Sequence, residues 1–413
     1  MFKLLHSADW HFDVDKLPDC KTASDALIKI TQEIKPHTFI IAGDIWNKRQ
    51  VLNVDSAVKA AKETFIEIAN LTPTILIKGN AAHDAEGSLE LFRNLQTKYP
   101  VFVTEKVDSI ILTKTMHIGI VGEKDFEFQF KSFASPIRDN EEVQAIFHLL
   151  SYPEKGWFLK DKEGLSTDES NMLILEELRK IFIGFGAINS TLTVPKILVF
   201  HGNIAGSRLS NGQTLFGQDI HIPKDYFDLA QCDIVCAGHI HAKQKIGQNI
   251  FYSGSIYHTN HGETEKKYIL LHEISNGVKT TEILLPSIPL SQHTCTYNST
   301  TGQIIDALEH QGELFPEEAI DWEDAKLRIR ITLTKEQNIA VTDQMIEARY
   351  PGAFIYQIER NIETIGEVRA EAIIAAERLR DKVQVWSDSK VIPIDEEILS
   401  MADSIETALA TEE

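Results

Sequence analysis

Five short polar segments carry the side chains in this chain that could do chemistry. They are Asp9-Trp10-His11, Gly43-Asp44, Gly79-Asn80 with His83-Asp84, His201-Gly202-Asn203, and Gly238-His239-Ile240-His241. Asp, His and Asn are the oxygen and nitrogen ligands suited to divalent transition metals. An Asp-x-His or His-x-His pair at a strand end turns both side chains to one side, because neighbours alternate along a strand. Gly43 permits the sharp turn that would aim Asp44 into a crevice, where its two oxygens could bridge two ions. Two such ions polarise a phosphoryl group and turn bound water into a nucleophile near neutral pH. Singly, each segment is an ordinary turn sequence. Together, in order and each after an apolar run, they predict a metal centre.

The elements that must hold these segments follow from the hydrophobic pattern. Phe2–Ser7, Thr38–Ala42, Thr74–Ile77, Lys196–Phe200 and Asp233–Ala237 read as buried strands. Ser24–Ile34 and Asp55–Asn70 between them read as helices, with apolar residues three and four apart. Ile110–Leu112, His117–Val121, Ile250–Ser253, Tyr268–Glu273 and Thr280–Leu285 add strands without long intervening helices. The pattern predicts an α/β domain of two layered sheets over residues 1–290, with the five segments meeting at the C-terminal strand ends. A polar loop, Glu123–Asp139, a helix at 140–150 and a helix at Asp168–Ile183 read as an insertion, either a lid or a substrate-facing element.

Pro286-Ser287-Ile288-Pro289 punctuates the end of that domain. Residues 291–365 read as a small α+β unit, with helices at Thr301–Glu309 and Lys335–Tyr350 and strands at Lys326–Leu333 and Ala353–Ile358. Residues 366–413 read as helical, over Gly366–Gln384 and Asp395–Leu409.

The 413 residues carry 41 Lys+Arg and 61 Asp+Glu, a net charge of −20, which argues against a nonspecific nucleic-acid coat. The acidity is uneven. Residues 291–413 hold 25 of the acids and 11 of the bases, a net of −14, leaving −6 for residues 1–290. No apolar run reaches the ~18 residues that span a bilayer, and the amino terminus does not read as a signal peptide. Four cysteines without a CxxC pair read as free, buried thiols in a cytoplasmic protein.

The five motifs resemble the calcineurin-like metallophosphoesterase superfamily. The C-terminal segments, and Tyr252-Ser253-Gly254-Ser255, resemble its SbcD branch of DNA-repair nucleases. The resemblance implies that Asp9, His11, Asp44 and His241 hold one metal and Asp44, Asn80, His201 and His239 the second, both manganese. It implies that His83 contacts the phosphate and aids the leaving group, with Asp84 orienting it. It further implies DNA ends as substrate, residues 291–365 as a capping domain, residues 366–413 as the dock for an SbcC-type ATPase subunit, and a homodimer built through residues 50–100.

Two departures stand out. Ala81-Ala82 separates Asn80 from His83, where the family reads Gly-Asn-His-Asp. Asn47 stands where the SbcD branch commonly has a histidine near the DNA. Asn47, Lys48, Arg49, Lys78, Arg208, Lys243 and Lys245 are the candidate phosphate contacts. Trp10 and Trp46 read as core packing. Besides a DNA exonuclease or endonuclease, the sequence leaves open a phosphodiesterase or phosphatase for smaller substrates and a non-catalytic DNA-end scaffold.

Overall fold

The computed structural model describes residues 1–47, 55–121, 130–132, 142–159, 164–208, 220–260, 263, 265–288, 290–306, 326–362, 373, 375–390 and 392–410. The chain divides into two compact units, Met1–Leu290 and Ser291–Glu413.

Two large sheets build the first unit. One has six strands in the order β16-β15-β1-β2-β3-β4. These are β1 (Phe2–Ser7), β2 (Thr38–Ala42), β3 (Thr74–Ile77), β4 (Val101–Thr104), β15 (Tyr268–Ser275) and β16 (Gly277–Leu284). β1 to β4 run parallel, and β15 pairs antiparallel with β1. The other has eight strands in the order β13-β14-β12-β9-β8-β5-β6-β7. These are β5 (Val107–Thr113), β6 (Ile118–Val121), β7 (Phe130–Ser132), β8 (Val143–Leu150), β9 (Lys196–His201), β12 (Ile234–Gly238), β13 (Gln244–Ile246) and β14 (Ile250–Tyr252). A short parallel pair, β10 (Asn203–Ile204) and β11 (His221–Ile222), stands apart.

The pleat explains how the layers form. Along β2, Ile40 and Ala42 face an inter-sheet core shared with Leu4, Ile75, Ile77, Phe147, Val199, Ile234 and Cys236. Phe39 and Ile41 point the other way, onto Leu27 of α1 (Leu17–Ile34) and Phe65 and Ile68 of α2 (Ser56–Leu71). The eight-stranded sheet is covered likewise, with Leu198, Phe200 and Val235 packed on Ile174, Leu178 and Phe182 of α5 (Thr167–Asn189) and Phe227 of α6 (Lys224–Leu229). Strands buried on both faces read as continuous apolar runs, which is why the sequence shows them well. Short helices α3 (Glu90–Arg93) and α4 (Lys155–Phe158) complete the unit's helices among the described residues. The expected α/β class with two layered sheets is therefore observed.

Several element readings are corrected. Residues 143–150 form β8, a central strand between β9 and β5, not a helix. Their apolar residues fit either period, and burial in the sheet decides. Of the expected insertion, the helix at Asp168–Ile183 is present as α5, packed on the eight-stranded sheet, and the part between β6 and β8 lies mostly outside the described residues, with 130–132 forming β7 on β6. α1 begins at Leu17, with Pro18 in its first turn, seven residues ahead of the expected Ser24. α2 starts where Asp55 caps it, its side chain accepting from Val58 N at 2.9 Å.

In the second unit the order is β18-β17-β19-β20. The strands are β17 (Leu290–Asn298), β18 (Gln303–Asp306), β19 (Lys326–Leu333) and β20 (Phe354–Ile362). Ile304 and Ile305 pair with β17, so the described part of Thr301–Glu309 is a hairpin strand, not a helix. Leu327, Ile329, Ile331 and Leu333 line one face of β19 and pack on Ile346 and Tyr350. The single helix expected at Lys335–Tyr350 is two, α7 (Lys335–Ala340) and α8 (Asp343–Glu347), because Thr342 starts a new cap after extended Val341. α9 (Leu379–Lys390) and α10 (Glu396–Ala410) follow, joined by Arg380 to Asp403 at 2.8 Å. Much of the expected helix at Gly366–Gln384 lies outside the described residues.

Candidate metal centre

The five segments meet at one place, the C-terminal ends of β1, β2, β3, β9 and β12. Three overlapping groups of ligand atoms result, each within 4.8 Å of its fellows: Asp9 with His11 and His241, Asp44 with His201 and His239, and His11 with Asp44 and His83. Asp44 belongs to two of them. Its backbone, with those of Asp9, His11 and His239, has positive φ, from 46° to 102°. Non-glycine residues rarely adopt that conformation, and clusters of it mark functional sites. Ladder bonds that continue past the strands hold it, such as Asp9 N to Gly43 O at 3.0 Å and His11 N to Asp44 O at 3.1 Å.

Two glycines set the spacing. Gly43 has φ +87°, and a Cβ there would fall 2.2 Å from His201 Nδ1. A Cβ on Gly79 would fall 2.0 Å from Asp44 Oδ1 and 2.2 Å from Asp44 N. Gly79 thus lets β3 come close enough for Asn80 N to donate to Asp44 Oδ1 at 2.7 Å.

The histidines share one arrangement. His11 Nδ1 faces Trp46 O at 3.3 Å, His83 Nδ1 faces Asn47 O at 2.8 Å, and His201 Nδ1 faces Ala42 O at 2.6 Å. His241 Nδ1 faces Glu263 Oε1 at 2.7 Å. Each Nδ1 must carry the proton to donate to these oxygens, which leaves the Nε2 lone pairs free. They converge: His11 Nε2 and His241 Nε2 stand 2.9 Å apart. His201 Nε2 lies 3.3 Å from Asp44 Oδ1, and His83 Nε2 lies 4.0 Å from Asp44 Oδ2. His201 Nε2 and His239 Nδ1 are buried without a hydrogen-bond partner. Facing lone pairs and orphaned ring nitrogens beside buried carboxylates suit a divalent cation. Outer nitrogens fixed by oxygen acceptors are the usual support of metal-binding histidines.

The electrostatics agree. Burial pushes the Asp9 carboxyl up to about 6, despite the pull of His201 and His241. Burial also works against the Asp44 carboxylate, but His201, His11 and His83 outweigh it and hold its pKa well below the usual range. Burial disfavours charge on His201, yet Asp44 and Asp9 raise it to about 9. His239 falls to about 3 through burial and its charged neighbour His201. The field of the carboxylates therefore demands positive charge here.

The two departures resolve structurally. Ala81-Ala82 is absorbed in a turn that closes on Asn80 O, which accepts from His83 N at 2.9 Å and Asp84 N at 2.7 Å. His83 still reaches the centre, its ring centroid 4.7 Å from that of His11. The Asn80 side-chain oxygen accepts from Ala82 N at 2.9 Å, so the loop itself engages the expected ligand atom. Asp84 does not orient His83. Its buried carboxylate accepts from Ile45 N, Trp46 N and Gly79 N at 3.0, 3.2 and 2.8 Å, tying two of the site's loops together. Burial and then Asp44 raise it to about 7. The Asn47 carbonyl orients His83 instead, a backbone contact indifferent to the residue type at 47.

The basic candidates fare unevenly. Lys48 and Arg49 lie outside the described residues. Lys78 is buried and paired with Glu154, and Lys243 is paired with Glu282 and lies over the Tyr268 ring at 4.5 Å. The Asn47 amide donates to Asp13. Arg208 and Lys245 are exposed, the latter over Phe251. Trp10 and Trp46 are fully buried, as expected.

Sequence reasoning missed the support under His241. Glu263, 3% exposed, accepts from His241 Nδ1 and, through Oε2 at 2.7 Å, from buried Lys267. Thr259 Oγ1 sits 2.8 Å from His241 Nδ1 and donates to Glu263 Oε1 at 2.7 Å. Glu263 raises the His241 pKa against the cost of its burial. An acid in a polar loop carries no periodic or motif signal. Tyr252 braces the opposite side, its hydroxyl donating to Gly202 O at 2.7 Å and accepting from Ile204 N at 3.1 Å.

Two apposed sheets with an Asp/His centre at their strand ends define a metal-dependent phosphoesterase. The chain belongs to the calcineurin-like phosphoesterase family, which it matches over residues 2–243. The family binds divalent metal ions and hydrolyses phosphoesters. No curated protein sequence matches the chain. Among solved structures it is similar to GAP50, the anchor in the inner membrane complex of Plasmodium, at 13% identity and a TM-score of 0.42, over 69% of this chain and 89% of that one. A second solved chain matches at 12% identity and a TM-score of 0.36, over 68% of this chain and 98% of its own. Among the described residues no helix is long and apolar enough to cross a membrane.

Proposed function

We propose that the protein is a two-metal phosphodiester hydrolase acting on DNA ends, the nuclease subunit of an SbcC–SbcD-type complex. The observation that carries the hydrolase reading is the convergence of the histidine Nε2 lone pairs on the carboxylates of Asp9 and Asp44. Asp9, His11, Asp44 and His241 would hold one ion, and Asp44, His201 and His239, with Asn80 beside them, the other. Bound there, two manganese ions would polarise the phosphoryl group and lower the pKa of a bound water. His83, held by the Asn47 carbonyl with Nε2 inward, would contact the phosphate and donate to the leaving oxygen. Asp84 keeps its loop against the loop of Asp44.

The DNA substrate is supported by the motif resemblance and by the second unit, which a small-substrate enzyme has less need of. The unit's acidity suits a protein partner better than DNA. On α10, Ile398, Met401 and Ile405 are about half-exposed at helical spacing, the kind of face an ATPase subunit would cover. A homodimer and a cytoplasmic setting complete the reading.

Manganese-dependent cleavage of linear duplex DNA by the purified protein, lost in Asp44→Ala, tests it. The carboxylate partners of Lys78 and Lys243 favour a second reading, hydrolysis of a smaller phosphodiester. Cleavage confined to a chromogenic phosphodiester would establish that one. Metal binding without any cleavage, ATPase added, would leave a scaffold.

A further inference from the structure

A second cluster of metal-type ligands lies away from the crevice residues, inside the layer between the sheets. His6 on β1 and His272 on β15 sit diagonally on one face of an antiparallel pair, where Leu4 is opposite His272 and His6 is opposite Leu270. Cys236 on β12 comes from the facing sheet, amid apolar residues such as Ile40, Ile197 and Ile234. All three are fully buried, and one ligand atom from each lies within 4.8 Å of the others.

The ring contacts allow both histidines to ligate. His6 Nε2 is 3.2 Å from Ala237 O, a pure acceptor, so that nitrogen carries the proton and Nδ1 is left bare. His272 Nδ1 is 2.8 Å from Thr280 Oγ1, which can accept from it. His6 Nδ1 and His272 Nε2 then face one another at 3.4 Å. That is long for a nitrogen hydrogen bond. Two nitrogens bound to one zinc ion at ~2.0–2.1 Å in a tetrahedral arrangement stand about 3.3 Å apart. A thiol beside them supplies a soft ligand. The hydrolysis proposed for the crevice uses none of these groups.

We propose that His6, Cys236 and His272 bind one thiophilic d10 ion, zinc or cuprous copper, that clamps β1 and β15 to β12. Each ion accepts thiolate and imidazole together. Cuprous copper with one thiolate is electrically neutral, which suits the apolar layer, whereas zinc is the commoner structural ion. The ion would join the sheets a few residues behind Asp9 and His239 without taking part in the reaction.

The test uses the full chain, stripped of metal by chelation and refilled with cobalt(II). The crevice holds no cysteine, so a thiolate-to-cobalt charge-transfer band reports this site alone. The band is expected in the parent and in Cys232→Ala and Asp44→Asn, and is expected to vanish in Cys236→Ala. Loss of the band on adding zinc, or on adding cuprous ion under anaerobic conditions, identifies the preferred ion. In case Cys236→Ala does not fold, the metal-free and metal-loaded parent are also treated with a thiol reagent without denaturant, where zinc or cuprous ion should slow modification of Cys236 relative to the other three thiols. Absence of the band together with absence of protection by either ion would overturn the proposal. Phosphoesterase activity need not change in either case, so this result is separate from the test of the crevice.

Discussion

Replacing Glu263 by Gln should loosen the metal centre without touching a metal ligand. The carboxylate joins the partly buried His241 imidazole, at 2.7 Å through Oε1, to the buried Lys267 ammonium, at 2.7 Å through Oε2. An amide has one oxygen, so it can accept from only one of them and presents N–H groups to the other. Removing one partner of a buried ion pair costs about 3–5 kcal/mol. Glu265 still reaches Lys267 at 2.9 Å, so the low end is expected, ~3 kcal/mol. Loss of a carboxylate behind a metal-bound imidazole weakens metal affinity about 10–100-fold. The two effects separate in the double variant Glu263→Gln with Lys267→Met. Removing the stranded ammonium should restore most of the stability and none of the affinity. Denaturant unfolding measures the first quantity and manganese competition against a chromogenic chelator the second. Unchanged manganese affinity in Glu263→Gln, or its recovery in the double variant, would refute this account of His241.

Four further outcomes are expected. Gly79→Ala drives a methyl into the Asp44 backbone, and a displacement of the order of 1 Å at a catalytic loop costs about 10²-fold in rate; steady-state kinetics of the variant check it. His83→Gln should lower kcat about 10²–10⁴-fold while metal content, read by elemental analysis, stays at the parent value; loss of an ion would make His83 a ligand instead. His148, clamped between Ser109 Oγ at 2.8 Å and Asn189 Oδ1 at 3.0 Å, is lowered by burial to about 4. The unfolded chain therefore binds more protons between pH 6.5 and 4, so stability falls as pH drops, by about 2 kcal/mol from this residue at pH 5. Imidazole NMR should find His148 neutral at that pH. Finally, chelation should lower the thermal midpoint, since an ion at 100 times its Kd stabilises the folded chain by about 2.7 kcal/mol.

The fold was legible where burial is two-sided. β1, β2 and β3 are short apolar runs between turn residues, and their bounds follow from the sequence directly. Val143–Leu150 was not legible, since an apolar run broken by Gln144 and His148 satisfies helix and strand spacing alike. Only its neighbours β5 and β9 make it a strand. The same holds for Ile304-Ile305, whose pairing with β17 no local pattern announces. At the metal centre the strand-end motifs named the inward-facing residues. What they could not name were contacts made by backbone, such as the Asn47 carbonyl on His83. Nor could they name residues brought in by a distant loop, such as Glu263 under His241.

The close approach at Gly79 has a consequence for how such a centre can vary. Along the loop, chain length is negotiable: two alanines enter between Asn80 and His83 and a turn takes them up. Across the gap between strand ends there is no slack at all, since one methyl group would overlap Asp44. Relatives of this chain should therefore differ freely in the length of this loop yet keep glycine at position 79, and libraries aimed at altering its chemistry should insert residues rather than enlarge them.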